Sequence, residues 1–474
     1  MIATSMISFV SKLRVATFAC CLAGCLAVAA PAAAERMPED YHGRRTPGEV
    51  THLFRYAPVD GRPGAIKSGW RVKWTVIEPL SPDGKRLDHE YGEAAILELT
   101  SVEFMRGTAA GTEGAWLKVL SNLALSELYT FYNELPKSHE GPAVGPPQQE
   151  VLDVQQDPYD FVHFEDRDEV VRLGFISSNP ASNAEVLGED GVVVKEIRDD
   201  GIRAVWARDG PPKSLDAPEP IRAIRGEVMT LWALLKAGNY YYVIEYGFVD
   251  DGTVRARFGA SGNNYYLHHV GSNSAVHQHF GCWRMSFAAE PSAAASVLQN
   301  VVQRDRARAR VVRRPFNNGR EGGETWDAET FGSLEMALSA DAQAPAAYVL
   351  VPRRAGSGRA KHPMTAKDFW ITVQEPQNAG RRKMNEVRNA YRSEKDTSER
   401  RCSDVPSAVA RTPESLRNRP LVIWHQSAFL HIPRKEDFGA TAADPHAALT
   451  AWTGFDLVPR NIWDTTPFIR PPLQ

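Results

Sequence analysis

Two neighbouring stretches constrain the fold most. Tyr241-Tyr242-Val243-Ile244-Glu245-Tyr246-Gly247-Phe248 and Thr253-Val254-Arg255-Ala256-Arg257-Phe258 alternate in period two, with Asp250-Asp251-Gly252 between them. Side chains on a strand point to opposite faces in turn, so this pattern predicts two half-buried strands. The Asp-Gly turn predicts that they form a hairpin. Trp70-Arg71-Val72-Lys73-Trp74-Thr75-Val76 alternates in the same way, and Leu421-Val422-Ile423-Trp424 reads as a further buried strand. Helical periodicity is weak; short helices are admitted only around 293–304 or 384–393. Clusters of Pro, Gly and polar residues at 134–150, 209–220 and 353–364 read as long loops. A length of 474 residues allows two or three domains, but the pattern suggests one large β domain. With many strands, turn-rich connections and no visible internal repeat, the expected class is mainly β, a large antiparallel β-sandwich.

The N-terminus reads as an export signal over residues 1–34. Lys12 and Arg14 precede an apolar run, Val15 to Ala30, which is short for a transmembrane helix, and Ala32-Ala33-Ala34 offers a small-residue cleavage site. Leu22-Ala23-Gly24-Cys25 resembles a lipoprotein box, so a lipid anchor at Cys25 is the alternative to soluble export into a periplasm or beyond. No other segment is apolar enough to span a bilayer. Residues 35–64 form a short lead-in, and 65–474 the main domain. Of five cysteines, only Cys282 and Cys402 lie beyond the signal; one disulfide is possible in an oxidising compartment.

Without the signal the chain carries 53 basic and 58 acidic residues, a formal charge of −5. That balance argues against nucleic acid as the main partner. Arg304, Arg306, Arg308, Arg310, Arg313 and Arg314 form one basic stretch, which reads as the solvated face of an edge strand ahead of an anionic-ligand site.

The chemistry concentrates in Val276-His277-Gln278-His279-Phe280, with Asn239-Tyr240-Tyr241-Tyr242 upstream and His431 far downstream. On a strand His277 and His279 share a face, and a third imidazole from a distant strand would complete an all-nitrogen metal site. Such a site suits Cu(II) or Zn, and Cu(II) binds most tightly of the divalent first-row ions. A tyrosine beside copper is oxidisable, which points to redox chemistry. His425 is the fallback third ligand; His268 and His269 read as exposed loop residues. Cys282 has the opposite strand parity to the two histidines and reads as a packed or paired thiol.

Several segments, in order, resemble the copper amine oxidases, the quinone-dependent primary amine oxidases. They are Gly69-Trp70-Arg71-Val72, Ala124-Leu125-Ser126-Glu127-Leu128-Tyr129-Thr130-Phe131-Tyr132, Ala237-Gly238-Asn239-Tyr240, Phe258-Gly259-Ala260-Ser261-Gly262, His277-Gln278-His279-Phe280, Trp424 through Phe438 and Gly454-Phe455-Asp456-Leu457-Val458-Pro459. The resemblance covers roughly 65–470 and is thin at 140–200 and 320–400. It implies the family's catalytic-domain supersandwich, and oxidative deamination of a primary amine, a small-molecule substrate, by O2 to aldehyde, ammonia and hydrogen peroxide.

The resemblance also implies roles. His277, His279 and His431 would bind Cu(2+). Tyr240 would be converted to topaquinone, with Asn239 beside it, and Tyr132 would hydrogen-bond the quinone oxygen. Asp166 would be the general base, with Phe164 at the aromatic gate position and Asp160 as second choice. The family is homodimeric. Its small N-terminal domains are expected to be absent. Three departures stand out. Tyr241 occupies a normally acidic position, which removes a polar residue from the site's surroundings. The glycines of the base motif are missing. Arg284-Met285-Ser286-Phe287-Ala288-Ala289 lacks the carboxylates of the family's calcium site, so that site is expected to be lost. These departures motivate an alternative, a catalytically degenerate copper-binding protein on the same fold. A third class, an unrelated sandwich that binds carbohydrate or protein, would require that copper binding be absent.

Overall fold

The structure, a computed structural model, describes residues 44–57, 64–78, 91–93, 95–132, 150–153, 159–172, 183–206, 222–237, 240–262, 277–287, 297–305, 308–325, 331–337, 347–352, 367–374, 391–393, 404–417, 419–431 and 450–463. The export signal, Asn239, His268, His269, Cys402 and most of the three loop stretches lie outside these residues, and so do the side chains of Tyr132, Asp160 and His277.

Two antiparallel sheets dominate the described residues, one of nine strands and one of eleven. In the first sheet, Ile66–Glu78 lies beside Ile96–Arg106, then come Trp116–Tyr132, His277–Phe287, Leu421–His431 and Phe369–Val373. Arg44–Arg55, within the stretch read as a lead-in, pairs with Ile66–Glu78 as this sheet's edge strand. In the second sheet, Tyr240–Val249 lies between Arg222–Ala237 and Val254–Gly262, and Ala451–Arg460 follows on the far side of the latter.

The alternation seen in the sequence is the burial pattern. Trp70, Val72, Trp74 and Val76 are buried, whereas Arg71, Lys73 and Thr75 are less so. The expected hairpin forms, with Phe248 opposite Val254, and Gly252 takes a φ of 93° in its turn, a conformation open to glycine. Inward side chains of both sheets make one core. The Tyr246 ring meets Trp283 edge-on at 5.9 Å, and Phe258 meets Phe429 at 5.9 Å. Gly281 is required at this seam, because a Cβ there would lie 2.5 Å from the Phe258 ring.

The sheets are also tied at their margins. The Trp70 indole donates to the Val249 carbonyl at 2.8 Å, and the Tyr246 hydroxyl donates to the Leu97 carbonyl at 2.8 Å. Lys67 pairs with Asp250, which the hairpin turn presents.

The structure corrects one expected helix. Val297–Asp305 is a strand, paired with Arg308–Pro315 so that Val301 faces Val312 and Val302 faces Val311. Pairing with a neighbouring strand on each side outweighs the helical reading of the local sequence. Arg308–Pro315 is the edge strand of the second sheet, as the arginine alternation suggested. Of the second helical candidate, 391–393 is a strand, paired with 91–93. A helix that the sequence reading missed, Asp404–Arg411, places Val405 and Val409 on Trp370, Val422, Trp424 and the buried thiol of Cys282, on the outer face of the first sheet. Among the described residues no helix is long and apolar enough to cross a membrane.

Candidate metal centre

His277 opens its strand and stands directly opposite His431 on one side and Tyr132 on the other. The antiparallel register therefore gathers three residues, distant in sequence, at one end of the first sheet. His279 follows two residues later, in register with Phe429 and Thr130. Its ring is fully buried and stacks on Phe429 at 4.9 Å with an interplanar angle of 26°.

The second sheet brings Tyr240 over this end. Tyr240 is 6% exposed; its ring lies 4.9 Å from that of His279 and 6.0 Å from that of His431. Its hydroxyl lies 3.0 Å from His431 Nδ1, within hydrogen-bond reach. Tyr242, one alternation further on and also buried, sets its hydroxyl 2.9 Å from His279 Nδ1. The two imidazole centroids are 5.9 Å apart. Metal–nitrogen bonds of about 2 Å put the ring centroids of two imidazoles on one ion about 5–6 Å apart, so the spacing suits a shared metal. Among the described residues no three His, Cys, Asp or Glu side chains form a metal-holding group, and the side chain of His277 is not among those described. The donor chemistry of His279, His431 and the Tyr240 phenol fits copper.

Tyr241 lies on the other face. It is 42% exposed, in register with Lys236 and Ser261, so the residue that replaces the family's acid points away from the histidines. The departure at 241 therefore leaves the buried side of the site as it was.

His425 lies on the same strand as His431, six residues or about 20 Å away. It packs against Phe455 at 4.9 Å with Nδ1 3.3 Å from Ser427 Oγ. Burial lowers its pKa to about 3, which keeps the ring neutral. It is a core histidine, separate from the cluster.

The segment that holds the candidate bases runs beside the Tyr240 row. Tyr159 pairs with Ala237, which on its other side pairs with Tyr240. Asp160 pairs with Lys236, in the row of Tyr241. Phe164 packs on Trp232 at 5.9 Å, against the face of the sheet turned away from Tyr240. Asp166 follows, exposed, at the start of the Arg167–Arg172 helix, its carbonyl accepting from the Val170 N–H at 3.4 Å.

His163 anchors this loop. Its Nδ1 lies 2.6 Å from the Asp190 carbonyl oxygen and its Nε2 lies 2.7 Å from Glu78 Oε1. A carbonyl accepts only, so Nδ1–H must donate; Nε2 then donates to an ionised Glu78 only as imidazolium. The hydrogen bond to Glu78 is the largest cause holding the His163 pKa above its usual value. With the folded pKa raised, the contribution is complete below about pH 6.5, the unfolded value, and fades as pH rises through the folded one. Thermal unfolding of the apoprotein between pH 6 and 9 should show a decline that His163→Gln flattens; parallel profiles would refute this anchor. The side chain is half exposed, so the effect is small.

Tyr242 and Phe429 were missed in the sequence. The signal for Tyr242 was present, since period two puts it on the face of Tyr240. Phe429 was recoverable only through the pairing of two distant strands.

The profile of the copper amine oxidase enzyme domain matches residues 215–473, more than half of the chain. No curated protein sequence matches. Among solved structures, a copper-containing benzylamine oxidase from Hansenula polymorpha is similar at a TM-score of 0.50 and 13% identity, over 91% of this chain and 79% of that one. A Pichia pastoris lysyl oxidase is similar at a TM-score of 0.49 and 12% identity, over 87% of this chain and 55% of that one. The chain thus spans about half the length of the Pichia enzyme. The Hansenula structure shares the β-sheet fold; the sequence match over 215–473 carries the assignment, and by it this chain belongs to the copper amine oxidase family.

Proposed function

We propose that this protein is an exported amine oxidase that binds copper through His277, His279 and His431 and derives topaquinone from Tyr240. The reaction is RCH2NH2 + O2 + H2O → RCHO + NH3 + H2O2. The observation that carries this reading is the Tyr240 hydroxyl, 3.0 Å from His431 Nδ1 with its ring 4.9 Å from that of His279. A phenol so held lies within reach of an ion shared by these histidines.

Copper and the quinone, when present, supply the electrophile for the amine and the redox partner for O2. The protein's residues do the rest. His279 and His431 would hold the ion against the end of the first sheet, and Phe429, stacked on His279, would exclude water beside it. Tyr132, opposite His277 in register, is assigned to hydrogen-bond the modified ring, with Asn239 preceding it. A carboxylate of the 159–166 segment, Asp166 first and Asp160 second, would take the proton from the substrate α-carbon. The segment's strand pairs with Ala237, the backbone partner of Tyr240, which supports drawing the base from it. Family membership supports a homodimer.

The test is to load the purified apoprotein with Cu(II) in air and treat it with phenylhydrazine. A coloured adduct mapped to the Tyr240 peptide is expected, and Tyr240→Phe should abolish it while copper stays bound. Stoichiometric copper with unmodified Tyr240 in the native chain would overturn the oxidase reading and favour a copper-binding protein without turnover.

A further inference from the structure

We propose that Tyr242 is a positioning residue for the metal, acting through His279. The inference rests on the copper reading of the site and extends it to a residue that ligates nothing.

The argument starts from the two ring nitrogens of His279. Nδ1 lies 2.9 Å from the Tyr242 hydroxyl, and both side chains are buried. Phe429 stacks on one face of the imidazole at 4.9 Å, and the Tyr240 ring lies 4.9 Å from it. A ring so enclosed has little freedom to turn, and the Tyr242 contact decides which nitrogen does what. A neutral imidazole has one N–H and one lone pair, and the hydrogen bond at one nitrogen sets the role of the other. With Nδ1 engaged by Tyr242, Nε2 is the nitrogen that takes the ion. On metal binding Nδ1 must hold the ring proton, and Nδ1–H then donates to the Tyr242 oxygen. Tyrosine is suited to the place because a phenol both donates and accepts, so it serves either tautomer. Phenylalanine would fill the same space and fix neither. Partners that orient a ligating histidine in this way are typically worth about 10- to 100-fold in metal affinity.

A buried tyrosine also needs a partner for its hydroxyl on stability grounds alone. A purely structural Tyr242 would move the apoprotein melting temperature but not the electronic environment of bound copper. Titration with Cu(II) and electron paramagnetic resonance of the native chain and Tyr242→Phe separate the two roles. Expected for Tyr242→Phe is a dissociation constant weaker by about 10- to 100-fold and a changed copper hyperfine pattern. A second measurement needs no variant. Long-range proton–nitrogen correlation of the histidines in native protein loaded with Zn(II) should show His279 protonated at Nδ1 and metal-bound at Nε2.

The proposal is overturned if folded Tyr242→Phe binds Cu(II) within about twofold of the native chain with the same resonance spectrum, well short of the usual outer-shell effect. It is equally overturned if the zinc-loaded ring is metal-bound through Nδ1. Failure of the native chain to bind either ion would overturn the copper reading and this inference together, and it shows in the native sample alone.

Discussion

Replacing His279 by Phe should weaken Cu(II) binding by more than about 100-fold, beyond the range typical of an outer-shell partner. The replacement keeps a flat ring against Phe429 and removes both nitrogens, so the loss reports ligation rather than a cavity. The fold should survive, because taking this partner from the buried Tyr242 hydroxyl costs only about 1–3 kcal/mol. His425→Phe is the matched control. That histidine is equally buried, on the strand that also carries His431, but it packs on Phe455 in the interior. Its replacement should leave copper affinity within about twofold, since no ligand or outer-shell partner is touched. Isothermal titration of the two apoproteins decides the matter. Native copper affinity in His279→Phe, or lost affinity in His425→Phe, would move the metal centre elsewhere.

The contrast between these two histidines shows where the sequence was legible. Parity along a strand put His277 and His279 on one face, and it puts Tyr240 and Tyr242 together with Tyr241 opposite. Parity could not choose between His425 and His431, because six residues separate them and both fall on the same face. That choice needed the register between His277–Phe287 and Leu421–His431, in which His277 meets His431 and Trp283 meets His425. Strand pairing over some 150 residues of sequence is set by tertiary burial, not by local pattern. The same limit explains Val297–Asp305, whose strand state depends on its hairpin partner. The 159–166 segment shows it as well: the sequence ranked Asp166 ahead of Asp160 by resemblance alone, whereas the pairing with Lys236, which aligns Asp160 with the Tyr241 row, depends on a distant strand.

The proposed metal centre lies at strand ends, where two sheets must hold their separation for Tyr240 and His431 to meet. A site needs its supporting side chains locked by packing to keep such a geometry. Here the inter-sheet aromatic pairs, Phe258 with Phe429 and Tyr246 with Trp283, run back from the site along the core. The opposite end of the Tyr240–Val249 strand is held by a different device, an ion pair.

That ion pair carries the largest stability effect expected of a single substitution. Lys67 is 8% exposed and Asp250 is fully buried, and the ammonium of one contacts the carboxylate of the other. Asp250 also accepts the Glu227 N–H at 3.0 Å, and its backbone carbonyl accepts the Ser68 hydroxyl at 2.6 Å. The second sheet's hairpin turn is thereby joined to the first sheet. Lys67→Met removes the counter-charge and leaves a buried carboxylate without it, which typically costs about 3–5 kcal/mol. The loss should depend on pH in a definite direction. Burial already raises the Asp250 pKa, with Lys67 opposing; without Lys67 it rises further. A carboxyl whose folded pKa is raised contributes stability that is complete below about pH 4, its unfolded value, and is lost as pH rises through the folded value. The deficit of Lys67→Met should therefore be larger at pH 7 than at pH 5. Adding Asp250→Asn removes the charge while keeping an acceptor for Glu227, and should recover most of the loss. Urea unfolding of the apoproteins, followed by tryptophan fluorescence, measures all three chains. A Lys67→Met deficit below about 1 kcal/mol at pH 7, the range of exposed pairs, would mean that water reaches this junction and that the aromatic core and the inter-sheet hydrogen bonds join the sheets without it.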